Sequence, residues 1–265
     1  MKKTQLCKRA CALGGMLFFS THLLTAASGS EGPEDYRIEL SATLWRMNTN
    51  GTIHADGSPI NLLTDLGVGQ RQRIYDGRLT FKFKRKLRFV LEGTPISIQG
   101  LNTINRNVTY FGQQYSVSDT LKSSAQISDI YAGLHRDWYS GRMGRFGTSI
   151  GASYLGLAGS IQGQQSGIDK KGSTPFGLPL AGVDFRLYPI PNRRWLVLEG
   201  AVRGLPAGSY GHWLEANGGV GTFIGPVGLQ IGYREMLINF HQTGVDPNGL
   251  NLRFYGPTAS VFWNW

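Results

Sequence analysis

Hydrophobic and polar residues alternate one by one along most of this chain, and the 3.6-residue spacing of an amphipathic helix is almost absent. In "YRIELSATLW" (36–45), Tyr36, Ile38, Leu40, Ala42 and Leu44 fall on one face, with Arg37, Glu39, Ser41, Thr43 and Trp45 on the other. The stretch "GRLTFKFKRKLRFVLEG" (77–93) reads as a hairpin. Leu79, Phe81, Phe83, Leu87, Phe89 and Leu91 share one side; Arg78, Thr80, Lys82, Arg88, Val90 and Glu92 share the other. If its turn is symmetric about Arg85, Arg78 stands opposite Glu92 as a cross-strand ion pair.

Seven further segments follow the same rule: 124–138, 145–160, 178–190, 193–205, 210–223, 227–240 and 250–265. That makes about ten strands, with eight or twelve open because "VTYFGQQYSV" (108–117) is either a strand extension or a separate hairpin arm. Most reach the ~9–11 residues a tilted strand needs to cross a bilayer. Connections alternate in length, with long segments at 48–70, 99–120, 161–177 and 241–249, a modest one at 206–209, and tight ones at 84–86, 139–144, 189–192 and 224–226. Short turns at one end and long loops at the other predict an all-β fold, a transmembrane up-and-down antiparallel β-barrel. A soluble sandwich also alternates, but it does not call for long strands, an even count and systematically unequal loops.

Residues 1–27 change the picture in a second way. Lys2, Lys3, Lys8 and Arg9 precede the apolar run "CALGGMLFFSTHLL" and then the small residues "TAASGS", the layout of a secretory signal peptide. The expected mature unit is 28–265, a single barrel domain. Cys7 and Cys11, the two cysteines of the chain, both lie in the signal, so no disulfide or thiol chemistry is expected of the barrel. Without the signal's four basic residues, 23 Lys and Arg face 17 acids. That mild excess is scattered and does not read as a nucleic-acid footprint; it suits a surface covered with anionic lipid or polysaccharide.

The chain ends "PTASVFWNW", with Ala259, Val261, Trp263 and Trp265 on one face. This tail resembles the C-terminal assembly signal of bacterial outer-membrane β-barrels, in which alternating apolar residues lead to a terminal aromatic. Trp stands here where that class more often has Phe. The resemblance implies location in the outer membrane and a last strand read through Val261, Trp263 and Trp265 by the barrel-assembly machinery. It also implies contact with outer-membrane lipid and lipopolysaccharide, and it leaves oligomeric state open.

With the apolar face toward lipid, the polar face points inward. The expected lumen-lining residues are Arg78, Glu92, Asp129, Asp184, Arg186, Glu199 and Arg234. Glu39, Asp76, Lys82, Arg88, Tyr131, Arg203, Glu215 and Asn217 fall on the same face. They either knit the lumen shut or line a narrow aqueous path, and packing is the favoured of the two because narrow barrels fill their interiors with side chains. Gly147, Ser149, Gly151 and Ser153 form a small-residue face that leaves room for Trp45, Trp195 or Trp213 across the lumen. The first loop carries apolar "PINLL" (59–63), read as a fold-back plug or as a recognition surface.

Enzymatic candidates are thin. The resembled class includes omptin-type proteases, which use Asp–Asp and Asp–His pairs near the outer rim. The chain offers His54 with Asp56 and His241 near Asp246, without a matching Asp-x-His. The His then Ser-Asn pattern of outer-membrane phospholipases is missing. His212 near Ser209 and Glu215 gives no clear shared face, and His135 with Asp137 sits beside a short turn. No catalytic residue, metal site or cofactor is expected. The leading expectation is a non-enzymatic outer-membrane protein, structural or a narrow passive passage for small solutes. The alternatives are a lipid- or lipopolysaccharide-modifying enzyme and a loop-mediated adhesin or binding protein.

Overall fold

A computed structural model of the chain describes residues 32–265 apart from 56–57, 70, 111–112, 192, 207–210 and 242–248. The signal-peptide segment 1–27, Asp56, Ser209 and Asp246 lie outside the described residues. The strands are β1 (Ile38–Ala55), β2 (Ser58–Asn61), β3 (Gln72–Lys84), β4 (Leu87–Thr103), β5 (Val108–Tyr110), β6 (Gln113–Tyr115) and β7 (Thr120–Gly141). They continue as β8 (Gly144–Gly163), β9 (Asp169–Leu187), β10 (Val197–Pro206), β11 (Gly211–Ile224), β12 (Val227–His241) and β13 (Gly249–Asn264).

Ten of them form a closed antiparallel barrel in the order β1-β3-β4-β7-β8-β9-β10-β11-β12-β13, with β13 pairing back onto β1. β2 folds back on the end of β1, and β5 and β6 make a separate hairpin. The closing seam pairs Leu40 with Trp263 and Ala42 with Val261. The Arg37 amide donates to the Trp265 carbonyl at 2.6 Å, and the Trp265 amide donates to the Ile38 carbonyl at 2.9 Å. The terminal tryptophan thus contributes backbone to closure, which removes the free strand edges that lipid cannot hydrate. Tight turns follow β3, β7 and β11. In the last, Gly225 (φ +59°) precedes Pro226, as a two-residue hairpin with a left-handed first position demands.

The strands outrun the sequence reading. β7 has 22 residues and β8 has 20. Much of 48–70 and 161–177, expected to be loop, is strand, and β8 and β9 are joined by residues 164–168 alone. Conversely, β10 begins at Val197 rather than 193. Trp195, offered as a luminal side chain, is exposed in the β9–β10 connection, whereas Trp45 and Trp213 are buried inside the barrel.

The reason lies in an inversion of phase. Toward the short turns the outward positions are apolar: Leu40 and Leu44 on β1, Leu79, Phe81 and Phe83 on β3, Ile130 and Leu134 on β7, Leu229 and Ile231 on β12. Exposed Tyr75, Tyr154 and Tyr233 border this band. Beyond them the apolar residues turn inward: Ile96 and Ile98 on β4, Leu121 and Ile127 on β7, Met236 and Ile238 on β12, Leu252 and Phe254 on β13. Their outward neighbours there are Ser97, Gln99, Gln126 and Ser128. The lower wall is built for lipid and the upper wall for water.

The two walls should respond differently to charge. Ile231→Arg, in the apolar band, is expected to destabilise the barrel in lipid vesicles by roughly 2–4 kcal/mol, and Ser97→Arg by about 0–1 kcal/mol. Urea titration of tryptophan emission measures both.

Candidate functional site

Charged side chains gather in the lumen, which has two halves. Toward the short turns, cations Arg78, Lys82, Arg88, Arg145, Arg186, Arg203 and Arg234 meet carboxylates Glu34, Glu39, Asp76, Glu92, Asp137, Asp184, Glu199 and Glu215. Except for Glu34, which precedes β1, the alternation of each strand aims these side chains inward, and cross-strand register brings them together.

Arg78 stands opposite Glu92 in the β3–β4 register and pairs with it at 3.0 Å. Glu92 also receives Arg203 at 2.9 Å and Arg234 at 3.0 Å. Arg234 extends to Asp76 and to Glu215, both at 2.8 Å. Arg186 reaches Glu39 at 2.7 Å and Glu199 at 2.8 Å. Asp184 is held by Arg88 at 2.7 Å, by Arg145, and by His135 Nδ1 at 2.8 Å. Arg88 also pairs with Asp137 at 2.8 Å. Asp129 is buried without an ion pair and accepts the Ser153 hydroxyl.

The network continues onto the segment before β1. The Glu34 carboxylate accepts from Lys82 at 3.1 Å and from the Tyr188 hydroxyl at 2.7 Å, with Arg145 at 3.3 Å. Burial alone would raise the Glu34 carboxyl, but Arg186, Lys82 and Arg145 together hold it well below the ordinary value of 4.5. Glu34 and Arg145 escaped the sequence reading. Arg145 shares parity with Ser149 and Ser153 and was legible as an inward residue; Glu34 precedes any alternation, so no pattern marks it.

An aromatic layer separates the two halves. Arg234 lies 4.9 Å from the centre of the Trp45 ring, and Arg203 lies 4.3 Å from Tyr131 and 5.9 Å from Trp213. Beyond it the lumen is apolar. There the "PINLL" segment folds inward, burying Ile60 and Leu62, with Leu66 and Val68 following. Asn61 shapes this turn: its Oδ1 accepts from the Leu63 and Thr64 amides at 2.9 and 3.0 Å, an Asx turn written in the sequence. Arg106 ties Asp65 from the next connection at 2.5 Å. Among the described residues the lumen keeps small spaces of about 60 Å³ among Ile53, Ile60, Ile98 and Leu252 and about 40 Å³ beside Asp76 and Arg234. Each is the size of one or two waters.

Of the residues weighed for enzymatic chemistry, those described take the following places. His212 is exposed and Glu215 is buried, so the two point to opposite sides of β11. His54 is exposed on β1, and His135 and Asp137 are absorbed into the ion-pair network. Among the described residues no three His, Cys, Asp or Glu side chains converge as a metal ion requires. Trp263 and Trp265 stack at 5.7 Å between ring centres on the outer wall, with Val261 exposed above them.

A closed ten-stranded barrel with an apolar belt and a filled polar lumen is the fold of a bacterial outer-membrane β-barrel. No family model matches the sequence, and no curated protein does. Among solved structures the chain is similar to the outer membrane protease OmpT from Escherichia coli, at TM-score 0.55 and 10% identity, covering 89% of this chain and 98% of that one. The translocator domain of the autotransporter NalP from Neisseria meningitidis gives TM-score 0.42 and 11% identity over 86% of this chain and 88% of that one. OprG from Pseudomonas aeruginosa gives 0.38 and 10% over 88% and 99%. At these identities the likeness is one of fold.

Two outcomes follow from the network. Arg234→Met strands Asp76 and takes one of several cations from Glu92 and Glu215; it is expected to destabilise the barrel by about 3–5 kcal/mol, read as a lower urea midpoint. Glu34, with its folded value depressed, contributes stability that is fully present above its unfolded value of 4.5 and lost as pH falls through the folded value. Glu34→Gln should therefore flatten the loss of stability between neutral pH and about pH 2, measured by urea titration across that range.

Proposed function

We propose that this chain is a structural outer-membrane barrel whose lumen stays shut, presenting a tall rigid wall and its longer connections at the cell surface. On this reading residues 1–27 are removed on export, the Val261–Trp263–Trp265 strand is recognised by the barrel-assembly machinery, and the partners are outer-membrane lipid and lipopolysaccharide. No catalytic step, cofactor or nucleic acid belongs to it.

The observation that carries this reading is the continuous ion-pair network beneath an apolar upper lumen. A passive aqueous path needs a continuous wetted opening through the barrel. Here each luminal cation has a carboxylate partner at 3.8 Å or less, and the space above is packed with Ile60, Leu62, Leu66, Met236 and Phe254. Seven cations against nine carboxylates, Asp129 included, among the described residues leave only a small excess of one sign to draw ions in.

Planar bilayers test it. Residues 28–265, refolded and checked by heat-dependent gel mobility, should give no reproducible conductance steps. Steps that change when Arg78 or Arg234 is neutralised would overturn the sealed-lumen reading in favour of a narrow passage. Lipopolysaccharide incubated with the folded protein should keep its mass; a shortened acyl or sugar product would establish an enzyme instead.

A further inference from the structure

The luminal cations are all paired, but the outer wall holds cations that are not. On β1 and β3 the register sets Arg46 directly opposite Arg73. Both are exposed, and both alternate with buried neighbours (Trp45 and Met47, Ile74), so they point away from the barrel. Arg71, also exposed, immediately precedes β3. On the other flank of β1, exposed Arg253 of β13 lies opposite Asn50.

Arg253 has an acid, Glu235 at 2.7 Å. Among the described residues Arg46, Arg71 and Arg73 have none within ion-pair distance. Like charges directly opposite on neighbouring strands destabilise a sheet, and exposure to water reduces that repulsion without turning it into attraction. Two arginines directly opposite on neighbouring strands, with Arg71 just before one of them, describe a surface that awaits an anion.

Height along the barrel says which anion. The pair below Arg46 and Arg73 is Leu44 and Tyr75, the last outward step of the apolar band. From Phe83 to Tyr75, β3 rises eight residues, about 26 Å at 3.3 Å each. Tilted by ~40°, that gives roughly 20 Å, close to the ~25 Å apolar band of such barrels. The arginines therefore stand one step outside the hydrocarbon, on the long-loop side, where headgroups of the outer leaflet lie. Guanidinium binds phosphate by two parallel hydrogen bonds, and Asn48 adds a polar side chain on the same face of β1. We infer that Arg46, Arg71 and Arg73 form a site for the phosphate groups of a phosphorylated glycolipid of the outer leaflet. The inference rests on the outer-membrane reading above.

The test uses the refolded chain in phosphatidylcholine vesicles doped with bis-phosphorylated lipid A or with its dephosphorylated form. Heat-dependent gel mobility first reports insertion. Failure of the wild-type chain to insert overturns the outer-membrane reading and the site with it. Given insertion, native mass spectrometry after detergent extraction reads retained lipid. The bis-phosphorylated form should be retained at least about tenfold more than the dephosphorylated one. Arg46→Gln with Arg73→Gln should abolish that preference, whereas Lys171→Gln, on distant β9, should keep it. Inorganic phosphate at millimolar concentration should not displace the lipid. Equal retention of both lipid forms, undiminished retention by a folded double glutamine variant, or displacement by inorganic phosphate alone would overturn the site.

Discussion

Each strand of this barrel passes from one solvent into another, and the fold follows from that change. Lipid rewards apolar residues on the outside, where no other partner exists for a polar group. Above the aromatic border the outside is water, so the apolar residues gain by turning inward. Because the strand period is two, the inversion needs only a one-step change in which parity is apolar. β4 shows it: Leu91 faces out, Gly93–Pro95 spans the change, and Ile96 and Ile98 face in. β12 does the same around Arg234 and Glu235.

The charged lower lumen is the complement of the apolar belt. With hydrophobic residues committed to lipid, the inner positions of the same strands are left for polar groups, and in a narrow barrel those groups lose most of their water. A lone buried charge there would be strongly unfavourable, so the charges occur as a shared network in which Glu92, Asp184 and Arg234 each hold several partners. Net stabilisation from such a network is modest, since desolvation offsets much of the attraction. Its stronger effect is on register: a one-residue slip of β3 against β4 would carry Arg78 to the lipid face and break its pair with Glu92.

The barrel class was legible because alternation, unequal connections and the aromatic tail all report the same physics. The inward set from Arg78 to Arg234 was legible in position, as parity alone decides it. Three things were hidden. The upper strands were taken for loops, since the apolar face stops pointing outward near 161 and 170 although backbone pairing continues. The Trp195 assignment failed because a connecting segment obeys no parity. Glu34 lies outside any strand, and only the folded chain shows it reaching Lys82, Arg145 and Arg186. The inward packing of Ile60 and Leu62, by contrast, had a local signal in the apolar "PINLL" followed by the Asn61 turn.

The measurement that bears most directly on this account is a solvent scan along one strand. Residues 28–265 contain no native cysteine, so single cysteines at outward positions Leu91, Pro95, Ser97 and Gln99 of β4 can each carry an environment-sensitive fluorophore in refolded vesicles. The account predicts quenching by a lipid-borne quencher at Leu91, and by an aqueous quencher alone at Ser97 and Gln99, with the switch near Pro95. A single environment along all four positions would contradict the inversion on which the fold is built.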